Sequence, residues 1–237
     1  MALPKVQIPT FEIVQPSTNE KLVARPFLVK EEKILLMAKE SGDLNDVTLA
    51  IKQIINNCIL SEKFDVDNIP IFDMEFIFIQ LRAQSVGNIV KFKVEDSDDG
   101  IEYDLEVDLH EVKVQTPTQD FSNKIMITEN LGVVMKYITA SIANKIAGMS
   151  NEKDVSNLVL SESIDYIFDE EEVYPWDQQS HKEKEEFIDS LSLDAYSKIN
   201  EFFMYTPHIE HTVYYENSTG KKKKVVFRNL DDFFELY

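Results

Sequence analysis

Few residues in this chain have the type and spacing that chemistry demands. The four histidines are His110, His181, His208 and His211, and none flanks a glutamate at i, i+4 as a zinc-protease helix requires. His208 and His211 are three apart on a segment that reads as a strand. That spacing sends them to opposite faces, a poor arrangement for chelating one metal. Cys58 is the single cysteine, which excludes an internal disulfide and any multi-cysteine metal site. It falls on the apolar face of a helix and reads as inert core. No two of the six glycines lie within a dozen positions, so neither a phosphate-cradling loop nor a dinucleotide fingerprint can be written. A G-x-S-x-G elbow is also missing from the sequence.

Carboxylates are the plentiful chemical group, with 43 acids against 24 bases and a formal charge of -19. Glu95 to Asp120 holds ten acids and the single base Lys113. There Glu95, Ser97, Asp99, Gly100 and Glu106 fall on calcium-loop positions, but position 1 is Glu and the flanks read as strands. A solvated acidic hairpin is the better reading. A second acidic stretch, Asp165 to Asp189, places Asp169-Glu170-Glu171-Glu172 before Val173-Tyr174-Pro175-Trp176. No carboxylate pair stands out in it, and the lone tryptophan reads as part of a docking surface or a packed loop. Lys221 to Lys224 is the only basic run and reads as a solvated turn, or as a dock for an acidic partner. The overall charge argues against nucleic acid. The sequence carries neither a signal peptide nor 18 uncharged apolar residues in a row, so an intracellular protein with no membrane contact is expected. No cofactor, no metal and no small-molecule substrate is indicated. What remains is a protein whose partners are other proteins.

Half of the prolines, Pro4, Pro9, Pro16 and Pro26, fall in the first 27 residues, which read as an extended arm with two strands around a turn at Ser17–Glu20. Helices follow at 29–41 and 45–60, and a third begins near Pro70. This third helix is apolar over most of its surface, as expected of one buried on more than one side. After Gly87 the period changes to 2, predicting a hairpin of Ile89–Glu95 and Ile101–Leu109. Short strands are predicted at 124–127 and 133–137, and helices at 156–169, after the capping box of Ser180 and Glu183, and at 193–205. A strand–turn–strand hairpin and a helical stop at 229–236 close the chain. The fold class is α+β: an N-terminal extended arm, a helical core with an inserted antiparallel β-hairpin region, and a C-terminal β-hairpin. The expected division is 1–27, 28–150 and 151–237.

The stretch LPKVQIPTFEIVQPSTNEKLVARPFLVKEEKILLMAKESGD resembles the N-terminal signature of the T4-like bacteriophage baseplate hub subunit and hub-assembly family. FDVDNIPIFDMEFIFIQLRAQSVG and the closing hairpin with NLDDFF are similar to it as well. The resemblance implies a non-enzymatic role in building the hub of a contractile tail, through contacts with other baseplate hub or tail proteins. The implied location is the host cytoplasm during assembly and the tail baseplate of the virion. On this reading Pro9, Phe11, Arg25, Pro26, Phe27, Arg82 and Trp176 are the candidate partner-binding residues. Arg25 and Arg82 are expected to hold the arm or its neighbouring helices through bidentate carboxylate pairs. Deleting residues 1–26 is expected to remove partner binding and leave the helical core folded. Two alternatives stand beside this reading: a tail-associated lytic hydrolase using paired carboxylates, and an acidic DNA mimic.

Overall fold

A computed structural model describes residues 6–116 and 122–234. The start of the arm, Asp120 and the last residues of the helical stop therefore lie outside the described residues. The chain forms two compact units: one runs to Gln115 and resumes at His208, the other lies between Thr116 and Pro207. This grouping differs from the expected division at 27 and 150, because the last two strands return to the unit that the N-terminal half begins.

In the first unit, β1 (Phe11–Val14) and β2 (Lys21–Ala24) form an antiparallel hairpin in the register Phe11↔Ala24. Alternation puts Ile13, Leu22 and Ala24 into the core while Glu12, Val14, Lys21 and Val23 face out. The predicted arm is thus a packed element, and deleting residues 1–26 would strip these side chains from the core. Helix α1 (Val29–Ser41) ends at Gly42, whose φ of 68° gives the left-handed cap that glycine adopts without penalty. Helix α2 (Leu44–Cys58) starts on the Asp43 cap and buries Val47, Ile51, Ile54, Ile55 and Cys58 on one face. It packs against both α1 and α3 (Ile71–Val86). Helix α3 buries Phe72, Met74, Ile77, Phe78, Ile79 and Leu81, which together circle its axis, in agreement with its apolar sequence.

The predicted hairpin follows as β3 (Ile89–Glu95) and β4 (Glu102–Asp108). Strand β5 (Lys113–Gln115) was too short to be read from the sequence. It pairs with β10 (His208–Glu216), which pairs in turn with β11 (Lys222–Phe227). Helix α8 (Leu230–Phe234) closes this unit, with the Phe233 ring tilted against Phe227 at 5.2 Å.

The second unit is a four-stranded antiparallel sheet in the order β6-β7-β8-β9 with helices packed on it. Its strands are β6 (Lys124–Met126), β7 (Gly132–Met135), β8 (Ile164–Phe168) and β9 (Val173–Pro175). Its helices are α4 (Ala140–Ala147), α5 (Glu152–Ser163), α6 (His181–Ser190) and α7 (Leu193–Met204). The capping box of Ser180 and Glu183 is present at the start of α6. One expectation is corrected. The segment 156–169 is helical only to Ser163, and Ile164–Phe168 is a central strand. Ile164 and Ile167 reach the core there while the backbone pairs with β7 and β9. Tertiary pairing overrides the helical continuation that local pattern suggested. Helix α4 was not anticipated either.

Candidate partner interface

The N-terminal hairpin is held to α3 by a buried carboxylate. Asp73 accepts from the Gln15 side chain at 2.7 Å, from the Ser17 amide at 3.0 Å and from the Ser17 hydroxyl. Burial pushes the Asp73 carboxyl above its usual range, and the hydrogen bonds from Ser17 and Gln15 oppose that rise. Arg25 then makes the bidentate pair expected of it: Nη2 donates to Glu31 Oε1 at 2.9 Å and Nη1 to Oε2 at 3.4 Å. Glu31 Oε2 also accepts from the Leu28 amide at 2.9 Å, capping α1. Burial works against the Glu31 charge, yet the hydrogen bonds from Arg25 and Leu28 hold its carboxyl below the usual range.

The seven sequence candidates separate by exposure. Pro9 is exposed, and Phe11 and Pro26 are half-buried. Arg25 and Phe27 are turned inward, Phe27 lying 5.7 Å from Phe78 with its amide donating to Ser85 Oγ at 2.7 Å. Arg82 is half-buried on α3 and makes no carboxylate pair among the described residues; burial lowers its pKa and the field of Glu32 partly restores it. Trp176 belongs to the core of the second unit, 3% exposed and edge-on to Phe187 at 5.8 Å. What this region offers to a partner is the outer face and edge of the hairpin. Gln15 donates to the Glu20 carbonyl, which sets the ladder so that the backbone groups of Glu12 and Val14 point away from β2. They meet no partner among the described residues, and Val14 is 46% exposed. Edge strands in this state are templates for pairing with another chain.

The acidic turn and the lysine run, read separately from the sequence, neutralise each other. Asp98 pairs with Lys223 at 2.9 Å and Lys221 at 3.0 Å. Asp96, only 2% exposed, accepts from Tyr215 Oη at 2.8 Å. Asp99 accepts from the Ser218 hydroxyl at 2.7 Å and from Tyr103 Oη at 2.7 Å. The Ser218 hydrogen bond is the largest cause holding Asp99 at about 2, and the bond to Asp96 pushes Tyr215 up to about 12. The turn carboxylates are thus engaged by lysines and hydroxyls. Lys222 and Lys224, alternating with the paired lysines, are exposed. Opposite charge in two hairpin turns was the sequence signal for this docking.

Among the described residues no group of three His, Cys, Asp or Glu side chains is placed to hold a metal ion. Among the described residues two carboxyls are raised by burial, Asp73 and Glu75, the latter to about 7. They are two residues apart on α3, about 200° around the helix axis, so they do not converge on one bond as a glycosidase pair must. No helix of the described residues is long and apolar enough to cross a membrane.

No curated protein and no solved structure matches the chain. The family described as T4 bacteriophage base plate protein, however, matches residues 8–235, so the match takes in both units, the hairpin with its open edge and the paired turns. The chain belongs to the T4 bacteriophage base plate protein family.

Proposed function

We propose that this baseplate protein is a non-enzymatic component of the hub, or a factor that assembles the hub, of a contractile-tailed phage. It works through contacts with other tail proteins, in the host cytoplasm during assembly and in the baseplate where it is retained. The family match over nearly the whole chain carries this reading. Two features support it. The open edge of β1 offers backbone groups to a partner strand. A formal charge of -19 steers encounter with basic tail proteins and discourages self-association.

Quantitative mass spectrometry of purified virions, with the tube protein as internal standard, tests the proposal. A fixed copy number makes the protein a hub subunit; loss from virions with presence in infected-cell extracts makes it an assembly factor. A phage deleted for the protein that still builds complete, infective tails overturns both.

A further inference from the structure

The N-terminal hairpin borders a groove of about 370 Å³ whose opposite wall is the segment 61–69. The floor is apolar, with Leu22 and Ile69 buried and Phe64 half-buried. The rim carries Glu20, Glu62 and Asp65 against the single base Lys63, all of them exposed. The carboxylates of Glu20 and Glu62 meet no partner among the described residues.

Strand β2 presents backbone beside the groove, between the lining residues Glu20 and Leu22. On the outer side of β2 the position of Val23 is taken, since its carbonyl accepts from the Leu60 amide at 2.7 Å and its amide donates to Ser61 Oγ at 2.9 Å. The chain leaves this side at Ser61. Ladder alternation points the amide and carbonyl of Lys21 the same way, and nothing among the described residues occupies them. The two non-glycine residues with positive φ among the described residues are Asn19, at 59°, in the turn between the lining residues Thr18 and Glu20, and Lys63, at 63°, itself part of the lining. Such backbone persists where surrounding structure imposes it.

We propose that this groove docks a short extended segment of a basic partner protein. The segment pairs with β2 at Lys21, sets an apolar side chain on the half-buried Phe64 above the buried Leu22 and Ile69, and places lysine or arginine against Glu20, Glu62 and Asp65. This rests on the reading of the protein as one that works through protein contacts, and it adds the place and the chemistry of one contact. The groove is at the small end of ligand pockets and suits side chains of an extended strand, not a folded domain. A second copy of this chain brings another -19 of formal charge and is disfavoured as occupant.

The test titrates the full ¹⁵N-labelled chain with a heptapeptide alternating valine and lysine. Amide shifts confined to residues 15–22 and 61–69, with slowed hydrogen exchange at the Lys21 amide, are expected. Glu20→Lys with Glu62→Lys should weaken binding about tenfold or more. Glu170→Lys with Glu171→Lys, which changes net charge equally in the other unit, should leave it within about twofold. Equal weakening by both pairs would reduce the effect to net charge and overturn the proposal. Shifts that miss Lys21 and the groove, or a groove filled by a second copy in light scattering, would overturn it too. None of these outcomes bears on the virion measurement, so the docking site can fail while the baseplate role stands.

Discussion

Arg25 and Glu31 illustrate how one pair fixes the start of a fold. Both are buried, and every charge-assisted bond they make is local to the turn that leads from β2 into α1. Arg25→Ala leaves the buried Glu31 carboxylate with only the exposed Lys30 ammonium at 3.3 Å and the Leu28 amide, and a loss of about 3 kcal/mol in chemical denaturation is expected. Replacing both, Arg25→Met with Glu31→Leu, should return most of that loss, because the desolvation penalty disappears with the charges. The pH dependence follows from the direction of the Glu31 shift. Its folded pKa is depressed, so its contribution is complete above the unfolded value of about 4.3 and is lost as pH falls through the lower folded value. Cys58 offers a second check at this scale. Burial pushes its thiol up to about 11 despite the opposing field of Arg25, so a thiol reagent at pH 7 should leave it unmodified until denaturant is added.

At the scale of elements, the two hairpin turns act as one joint. The shifts of Asp96, Asp98 and Asp99 are all downward, so protonation opposes the docked state. The docking energy from these groups is present above about pH 4, the unfolded aspartate value, and is lost on acidification, for Asp99 at about 2. Tyr215→Phe and Asp99→Asn should each move the onset of this acid transition to higher pH, followed by the amide signals of Ser218 and Tyr103. In the second unit, a close approach governs the sheet. A Cβ on Gly132 would run into the Phe168 ring across the β7–β8 pair. Gly132→Ala should therefore cost about 1–3 kcal/mol through displacement of that ring, and Phe168→Ala in the same chain should recover part of it. Trp176 is the only tryptophan and lies in this unit's core, so its fluorescence reads the transition of the second unit alone.

For the whole molecule the decisive fact is that β5 and β10 are partners. The register His208↔Gln115 holds the last residue before the second unit beside the first residue after it. The second unit is thus an insertion whose ends meet in a strand pair, the arrangement in which inserted domains are tolerated. Replacing 116–207 by a two-residue Asn-Gly turn should leave the first unit folded, with the β5–β10 pairing visible as protected amides at Lys113 and Glu210, the hydrogen-bonded pair of that ladder. Loss of the first unit's cooperative transition would show that its stability depends on the insertion. The proposed association with basic tail proteins should slow as ionic strength rises, since a net charge of -19 acts over about 8–10 Å before screening.

Periodicity determined much of this protein locally. The Val29–Ser41 helix, the wholly apolar α3, the alternating Ile89–Glu95 and Glu102–Asp108 strands and the closing hairpin follow from spacing, turn residues and caps. The conspicuous stretches at 3–43 and 64–87 pointed to the family. Tertiary structure alone decided what depends on distant partners. Ile164–Phe168 became a strand because β7 and β9 flank it, and Lys113–Gln115 became one because β10 returns to it. The arm read from the prolines became a packed hairpin because Asp73 and the helices α2 and α3 wait beneath it. Arg25, Phe27 and Trp176, chosen as residue types that suit interfaces, turned inward because the same aromatic area and bidentate geometry serve a core equally well. Local spacing sets which face a side chain takes on its own helix or strand; which other chain segment covers that face is a long-range energy that no window of sequence contains.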